Sequence, residues 1–387
     1  MSINLRSLTH ALLACGALAC SPTEQETDTD TEGPPAYDWG LPSWVPIPAV
    51  PEDNPMTAEK VELGRHLFYD ERLSGNGTFS CASCHEQAKA FTDGKPTPMG
   101  STGDAVPRAA MNLSGAPLLA TYTWFSPKVE TLEQQALGPM FNEFPVELGL
   151  TGHEEAVLQR FADDAGYQQL FSAAFPADDA PITMDNIVKA IASFERRLIS
   201  YRSPYDRYLY DGDEAAMSAA ALRGMELFFS ERLECYHCHA GFNLTTSFYS
   251  DTSANRELDF QNIGLYNLDD EGAYPADNQG LYEFTGSPTD KGKFRPPTLR
   301  NVALTAPYMH DGSLETLEDV LEHYAAGGRL TEDGPLAGDG RANPNKSEFV
   351  RGFEMTDEER DDVVAFLESF TDEAFVTDPA LADPSSG

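Results

Sequence analysis

Basic residues are scarce. The 387-residue chain carries 26 lysines and arginines against 63 aspartates and glutamates, a formal charge of −37. That shortage excludes sequence-independent binding to a phosphate backbone. It suits a self-repelling, soluble protein that meets cationic or neutral partners. Long apolar runs are missing as well. Beyond residue 20 none reaches the roughly 20 residues a spanning helix needs, which excludes a polytopic membrane protein. Cysteine is used sparingly, six times in all, and no histidine lies between residues 86 and 152. What is present is 41% hydrophobic residues. That excludes wholesale disorder, and the length suffices for two domains with their own cores.

The N-terminus reads as an export signal over residues 1–19. Arg6 gives a positive start, and an apolar stretch runs from Ala11 to Ala19, interrupted by Cys15 and Gly16. Ala17-Leu18-Ala19-Cys20 resembles a lipoprotein cleavage box, although alanine stands at its first position where leucine is usual. An ordinary cleaved signal is the competing reading. An acidic, threonine-rich stretch to Glu32 has the composition of a tether, and residues 40–55 are proline-rich. Residues 20–50 are therefore expected to form tether and linker. The expected location is periplasmic or envelope-associated, by a lipid on Cys20 and not by a transmembrane span.

The other four cysteines form Cys81-Ala82-Ser83-Cys84-His85 and Cys235-Tyr236-His237-Cys238-His239. Both are C-x-x-C-H, the attachment signature of a c-type haem. Two thiols one turn apart can bond both vinyl groups of one porphyrin, and the next histidine then supplies an axial nitrogen. A thioredoxin-type C-x-x-C does not need that histidine, and a four-cysteine zinc site leaves both histidines unexplained. Two covalent haems are therefore expected, with His85 and His239 on the irons. The motifs sit in a repeat. Gly64 to Leu73 and Gly224 to Leu233 share G-x-x-L-F-x-x-E-R-L. The expected fold is mainly α, two cytochrome c-like haem domains in one chain with long loops. Their expected bounds are 51–205 and 206–376, with a tail over 377–387. Ile187, Ile191, Phe194 and Leu198 carry helical spacing. Thr356-Asp357-Glu358-Glu359 reads as a capping box. Residues 243–297 read as a long ordered loop region.

The second axial position decides between electron transfer and chemistry. The histidine-free stretch 86–152 favours an open position on the first haem, ready for peroxide, with His153 or Met99 as residues that could close it. For the second haem, Asp311-Gly312-Ser313 is read as starting a helix whose apolar face is Leu317, Val320, Leu321 and Tyr324. Gly327-Gly328 stops it. Tyr324 is then a core residue or an iron ligand, and Met309, His310, His323 and Met355 compete with it. Periodicity does not separate them.

With these residues in view, the chain resembles the bacterial di-haem cytochrome c peroxidase and MauG superfamily over nearly its whole mature length. The recurrent block is Pro297-Thr298-Leu299-Arg300-Asn301 followed by Thr305-Ala306-Pro307-Tyr308-Met309-His310-Asp311-Gly312-Ser313. The resemblance implies that Tyr324, fourteen positions after His310, ligates the second iron, where peroxidases carry methionine. It also implies that Gln135, Pro139 and Glu147 lie over the peroxide-binding face and that Trp124 lies between the haems. Met99-Gly100-Ser101-Thr102-Gly103 lacks the peroxidases' distal histidine, which points to the MauG side. The superfamily's calcium site implies the Thr305 and Pro307 carbonyls as ligands, but Ala109 stands where an asparagine is expected, with Asn112 as a substitute.

A finer resemblance is to the methanobactin-associated MbnH subgroup. It is carried by Asp53-Asn54-Pro55-Met56, Ser74 to Thr78, Pro145 to Leu150, and Gly264 to Asn267. It implies oxidation of a tryptophan to kynurenine in an MbnP-like partner protein. On this resemblance hydrogen peroxide reacts at the His85 haem, with Glu147 moving a proton and Gln135 positioning. A second oxidising equivalent passes through Trp124, giving a bis-ferryl-like store. The alternatives are a cytochrome c peroxidase fed by a small cytochrome, and an electron carrier with two six-coordinate haems.

Overall fold

A computed structural model describes residues 37–386. The expected signal, the Cys20 site and most of the tether lie outside the described residues. The unit from Trp39 to Gly387 is mainly helical, as expected. Its helices are α1 (Ala58–Tyr69), α2 (Leu132–Phe141), α3 (Glu154–Ala162), α4 (Ala165–Ala174), α5 (Met184–Glu195) and α6 (Pro204–Tyr210). They continue with α7 (Ala219–Phe228), α8 (Tyr282–Thr285), α9 (Leu317–Ala325), α10 (Asp357–Glu368) and α11 (Glu373–Val376). One two-stranded antiparallel ribbon pairs Leu330–Thr331 with Gly338–Asp339.

Two helix pairs organise the unit, and the sequence repeat explains both. α1 packs on α5 and α7 packs on α10. A β-carbon on Gly64 would stand 1.9 Å from the Ala190 carbonyl oxygen and 2.9 Å from Phe194 Cβ. On Gly224 it would stand 1.9 Å from the Asp362 carbonyl oxygen and 2.9 Å from Phe366 Cβ. The repeated glycine therefore sets the same close helix crossing twice. Around the first crossing Leu63, Leu67, Phe68, Phe161, Phe171, Ile187, Ile191 and Phe194 form one core. Around the second, Tyr205, Phe228, Leu317, Leu321, Val363, Phe366 and Phe370 form another. Burial of each such large side chain stabilises by about 1.5–3 kcal/mol.

Local signals place the helix ends. Thr356 and Glu359 form the expected capping box. The helix carrying Tyr324 begins at Leu317 and not near Ser313, because Thr316 and Asp319 make the reciprocal cap bonds. Gly327 and Gly328 follow it with φ of 72° and 124°, which leave the helix.

Long-range connections are polar. Arg300 pairs with Asp206 at 2.9 Å, and both side chains are almost wholly buried (1% and 0% exposed). Between residues 243 and 297 only Tyr282–Thr285 and Pro288–Asp290 are helical. Leu265, Tyr266, Tyr274 and Phe294 cluster inside that region. The C-terminal segment returns to the first core. Phe375 packs on Phe91 with ring centroids 5.8 Å apart, and Tyr69 donates to the Leu381 carbonyl at 2.7 Å.

Candidate haem-binding sites

Each C-x-x-C segment is a single tight turn, Cys81–Ser83 and Cys235–His237. The backbone N–H of His85 donates to the Cys81 carbonyl at 3.0 Å, and that of His239 to Cys235 at 3.0 Å. No disulfide joins any of these four cysteines. Burial pushes Cys84 up to about 11 and Cys235 and Cys238 up to about 12.

The histidines are prepared in the same way twice. His85 Nδ1 donates to the Phe91 carbonyl at 2.6 Å, and His239 Nδ1 to the Leu244 carbonyl at 3.1 Å. A carbonyl only accepts, so Nδ1 carries the proton and Nε2 keeps its lone pair for a metal. The accepting residues have left-handed backbones, with φ of 62° at Phe91 and 50° at Leu244. Burial holds both imidazoles below their ordinary pKa, so they stay neutral as ligands must.

A cavity with mainly apolar lining adjoins the second motif. Cys235, Cys238, His239 and Tyr324 line it. This donor set and this space fit a thioether-bound haem. The Tyr324 side chain is half-buried. Burial first, then the charges of Cys238 and Cys235, raise its pKa, and all three residues line the one cavity. Of its rivals, Met309 and His310 also line the cavity. His310 stacks on Phe294 at 3.6 Å, and its Nε2 has no hydrogen-bond partner. His323 turns away and donates from Nε2 to the Ile263 carbonyl at 2.9 Å. Neither His323 nor Met355 is among the lining residues.

On the first motif, Glu147 is one of three carboxylates near the thiols, with Glu195 acting on Cys81 and Asp93 on Cys84. The Glu147 charge acts on both Cys81 and Cys84, and burial raises its own pKa. Its segment is pinned from two sides. Ser101 N–H donates to the Glu147 carbonyl at 2.8 Å, and Leu148 N–H to the Pro139 carbonyl at 2.8 Å. Gly100 is required there, since a β-carbon would lie 1.8 Å from the Val146 carbonyl oxygen. Pro139 and half-buried Gln135 both belong to α2. Met99 is 45% exposed, and His153 sits exposed at the start of α3, so both lie at the surface.

Trp124 lines the second cavity together with Thr92, Ala109, Met111 and Asn112. Its indole N–H donates to the Ala109 carbonyl at 3.0 Å. Ala109 N–H in turn donates to the His310 carbonyl at 2.8 Å. Thr92 follows Phe91, the residue that holds His85, so this wall includes a neighbour of the first motif.

The side chain offered for calcium is engaged elsewhere. Thr305 and Pro307 line the cavity, but Asn112 is spent. Its amide donates to the Arg300 carbonyl at 2.5 Å, and its oxygen accepts from Ser114 N–H at 2.7 Å.

One carboxyl escaped the sequence reading. Glu195 is buried at the end of α5, its Oε2 has no partner, and burial pushes it up to about 8. Its charge acts on Cys81. The available signal was its position, four after Ile191 on the apolar stripe.

A family profile described as di-haem cytochrome c peroxidase matches residues 58–215. The methylamine utilization protein MauG of Methylorubrum extorquens is 33% identical, over 86% of this chain and 84% of its own length. The cytochrome c551 peroxidase of Pseudomonas aeruginosa is 33% identical, over 69% of this chain and 72% of its own. A crystal structure of a MauG-like protein associated with microbial copper homeostasis superimposes with a TM-score of 0.88 at 48% identity, covering 90% of this chain and 100% of that one.

Proposed function

Because the chain belongs to the di-haem cytochrome c peroxidase and MauG family and is a haem-dependent oxidoreductase, we propose that it uses hydrogen peroxide to oxidise an aromatic residue in a partner protein. The residue is tryptophan, converted to kynurenine, and the partner is MbnP-like. One observation carries this reading: a phenol, Tyr324, lines the cavity of the second motif with Cys235, Cys238 and His239, at the position where the peroxidases carry a thioether. A hard oxygen donor favours a higher metal oxidation state than a soft thioether does. The 48% identity to a MauG-like structure supports the same side of the family.

Bound haems supply peroxide cleavage and storage of oxidising equivalents. The chain's own residues supply the rest. Cys81, Cys84, Cys235 and Cys238 attach the two groups, and His85 and His239 present Nε2. Glu147 moves a proton between the peroxide oxygens, Gln135 orients the peroxide, and Pro139 holds the Glu147 segment through its carbonyl. Trp124, fixed by Ala109, is the conduit for an electron between the sites. Residues 51–205 then form the peroxide-reactive half and 206–376 the tyrosine half. Among the described residues no helix is long and apolar enough to cross a membrane, and an exported protein held by Cys20 accords with c-type haem attachment.

The test is the intact mass of a tryptophan-bearing MbnP-like partner incubated with holoprotein and peroxide. A kynurenine mass change, lost with Tyr324→Met, is expected. An unmodified partner together with rapid oxidation of a reduced small cytochrome would replace this reading with the peroxidase one, which the 33% identity to a cytochrome c551 peroxidase supports.

A further inference from the structure

An aromatic column stands on the outer side of the second motif, and the chemistry above leaves it unused. Phe349 lines the second cavity. Its ring stacks on His237 with centroids 4.0 Å apart and planes at 14°. His237 lies against Tyr236 at 4.2 Å and 30°. Tyr236 directly follows Cys235, one of the haem-attaching thiols. Its hydroxyl donates to the exposed Glu231 carboxylate at 2.5 Å. The neighbouring anion raises the phenol's pKa, so Tyr236 is neutral. A neutral phenol becomes strongly acidic once it loses an electron, so its oxidation needs a base within hydrogen-bond reach. Glu231 is that base. The chain provides its own comparison: at the matching positions the first motif carries Ala82 and Ser83. The aromatic pair is confined to the Tyr324 side.

We propose that Tyr236 is the outlet through which oxidising equivalents leave the second haem for a partner's aromatic side chain. This rests on the partner-oxidation reading. Tyr236 gives one electron to the peroxide-oxidised haem pair, and its O–H bond breaks with the proton passing to Glu231. The neutral phenoxyl then takes an electron from an indole of the partner docked over it, and the proton returns from Glu231. Tyr236 ends as it began, and two such passes discharge the two equivalents of one peroxide. His237 and Phe349 shorten the path from the cavity to the surface.

The test uses full-length holoprotein, Tyr236→Phe, which keeps the stacked ring and removes the hydroxyl, and Glu231→Gln, which keeps an acceptor and removes the base. The probe substrate is a lysine-flanked tryptophan peptide. Expected in wild type is a freeze-quenched radical whose electron paramagnetic resonance narrows with ring-deuterated tyrosine. Tyr236→Phe should lose that signal, form the peroxide-oxidised state at the wild-type rate, and oxidise the peptide at least about tenfold more slowly. Glu231→Gln should fall between. A second readout needs no peroxide: a ruthenium photo-oxidant on the ferric protein should mark Tyr236 by mass mapping, less so in Glu231→Gln. A persistent oxidised state with unchanged radical and peptide oxidation in Tyr236→Phe overturns the outlet alone. A wild type with no persistent oxidised state and no peptide oxidation overturns both the outlet and the partner-oxidation reading.

Discussion

Replacing Glu147 by glutamine isolates proton transfer from architecture. The exchange is isosteric, and the backbone that positions residue 147 is held independently of its carboxyl. Ser101 N–H bonds its carbonyl and Leu148 N–H bonds the Pro139 carbonyl, both at 2.8 Å. The variant should therefore fold and bind haem as wild type does. A positioned general acid–base group contributes about 10²–10⁴-fold, so the rate of peroxide cleavage should fall by about 10³-fold. The pH dependence gives a second, signed check. Burial raises the Glu147 pKa, and the group must be ionised to accept the peroxide proton. The wild-type rate should thus drop as pH falls through a value above the ordinary carboxylate range. That limb should be absent in Glu147→Gln. Stopped-flow mixing of ferric holoprotein with peroxide across pH reads both. A loss below about tenfold, or an unchanged acid limb, would refute Glu147 as the proton carrier.

Three further outcomes test the scaffold. Gly224→Ala gains about 1 kcal/mol of helix propensity but forces a β-carbon into the Asp362 carbonyl; a net destabilisation of about 2 kcal/mol is expected in urea unfolding. Asp206→Asn strands the buried Arg300 guanidinium, and unfolding should show a loss of about 3–5 kcal/mol. Glu195 is pushed from an ordinary 4.5 up to about 8, so the folded chain binds that proton more tightly than the unfolded chain. Its contribution is full below about 4.5 and is lost as pH rises through about 8. The thermal midpoint of Glu195→Gln should gain on wild type across that window, and a constant difference would contradict the burial argument.

What could be read in the sequence follows the range of the interaction. Haem attachment is local, a five-residue turn, and both copies were legible. Helix caps are local too, and Thr356 was read correctly. The start of α9 was misplaced because Asp311-Gly312-Ser313 looks like a cap, whereas Thr316 and Asp319 make the bonds. The repeated glycine was visible as a pattern, yet its cause, the Ala190 and Asp362 carbonyls, lies about 130 residues away in sequence. Helical spacing could not choose among Tyr324, Met309, His310, His323 and Met355. Three dimensions remove His323 and Met355 from the cavity wall and keep Tyr324 on it with Met309 and His310. Glu195 was missed because the apolar stripe was read for its hydrophobic members alone.

The wall around Trp124 shows how one departure from the family pattern reorganises a site. Where an asparagine side chain is expected to serve a cation, Ala109 offers only backbone. That backbone is fully used: its carbonyl takes the Trp124 indole N–H, and its N–H bonds the His310 carbonyl. Asn112, the nearest substitute, bonds the Arg300 carbonyl and Ser114 instead. Arg300 is itself locked to Asp206 in the second core. The Trp124–Ala109–His310 bonds and the Asn112–Arg300 bond are thus two links joined by the covalent run of residues 109–112, the second ending in a buried ion pair. Chelators should leave electron transfer between the two haems unchanged in this chain. Asp206→Asn, which loosens the far end of the second link, should slow it even under conditions where the variant stays folded. Flash-initiated transfer between the haems, measured with and without chelator and in that variant, separates the two. A loss on chelation alone would show that a cation, and not these two links, holds Trp124 in place.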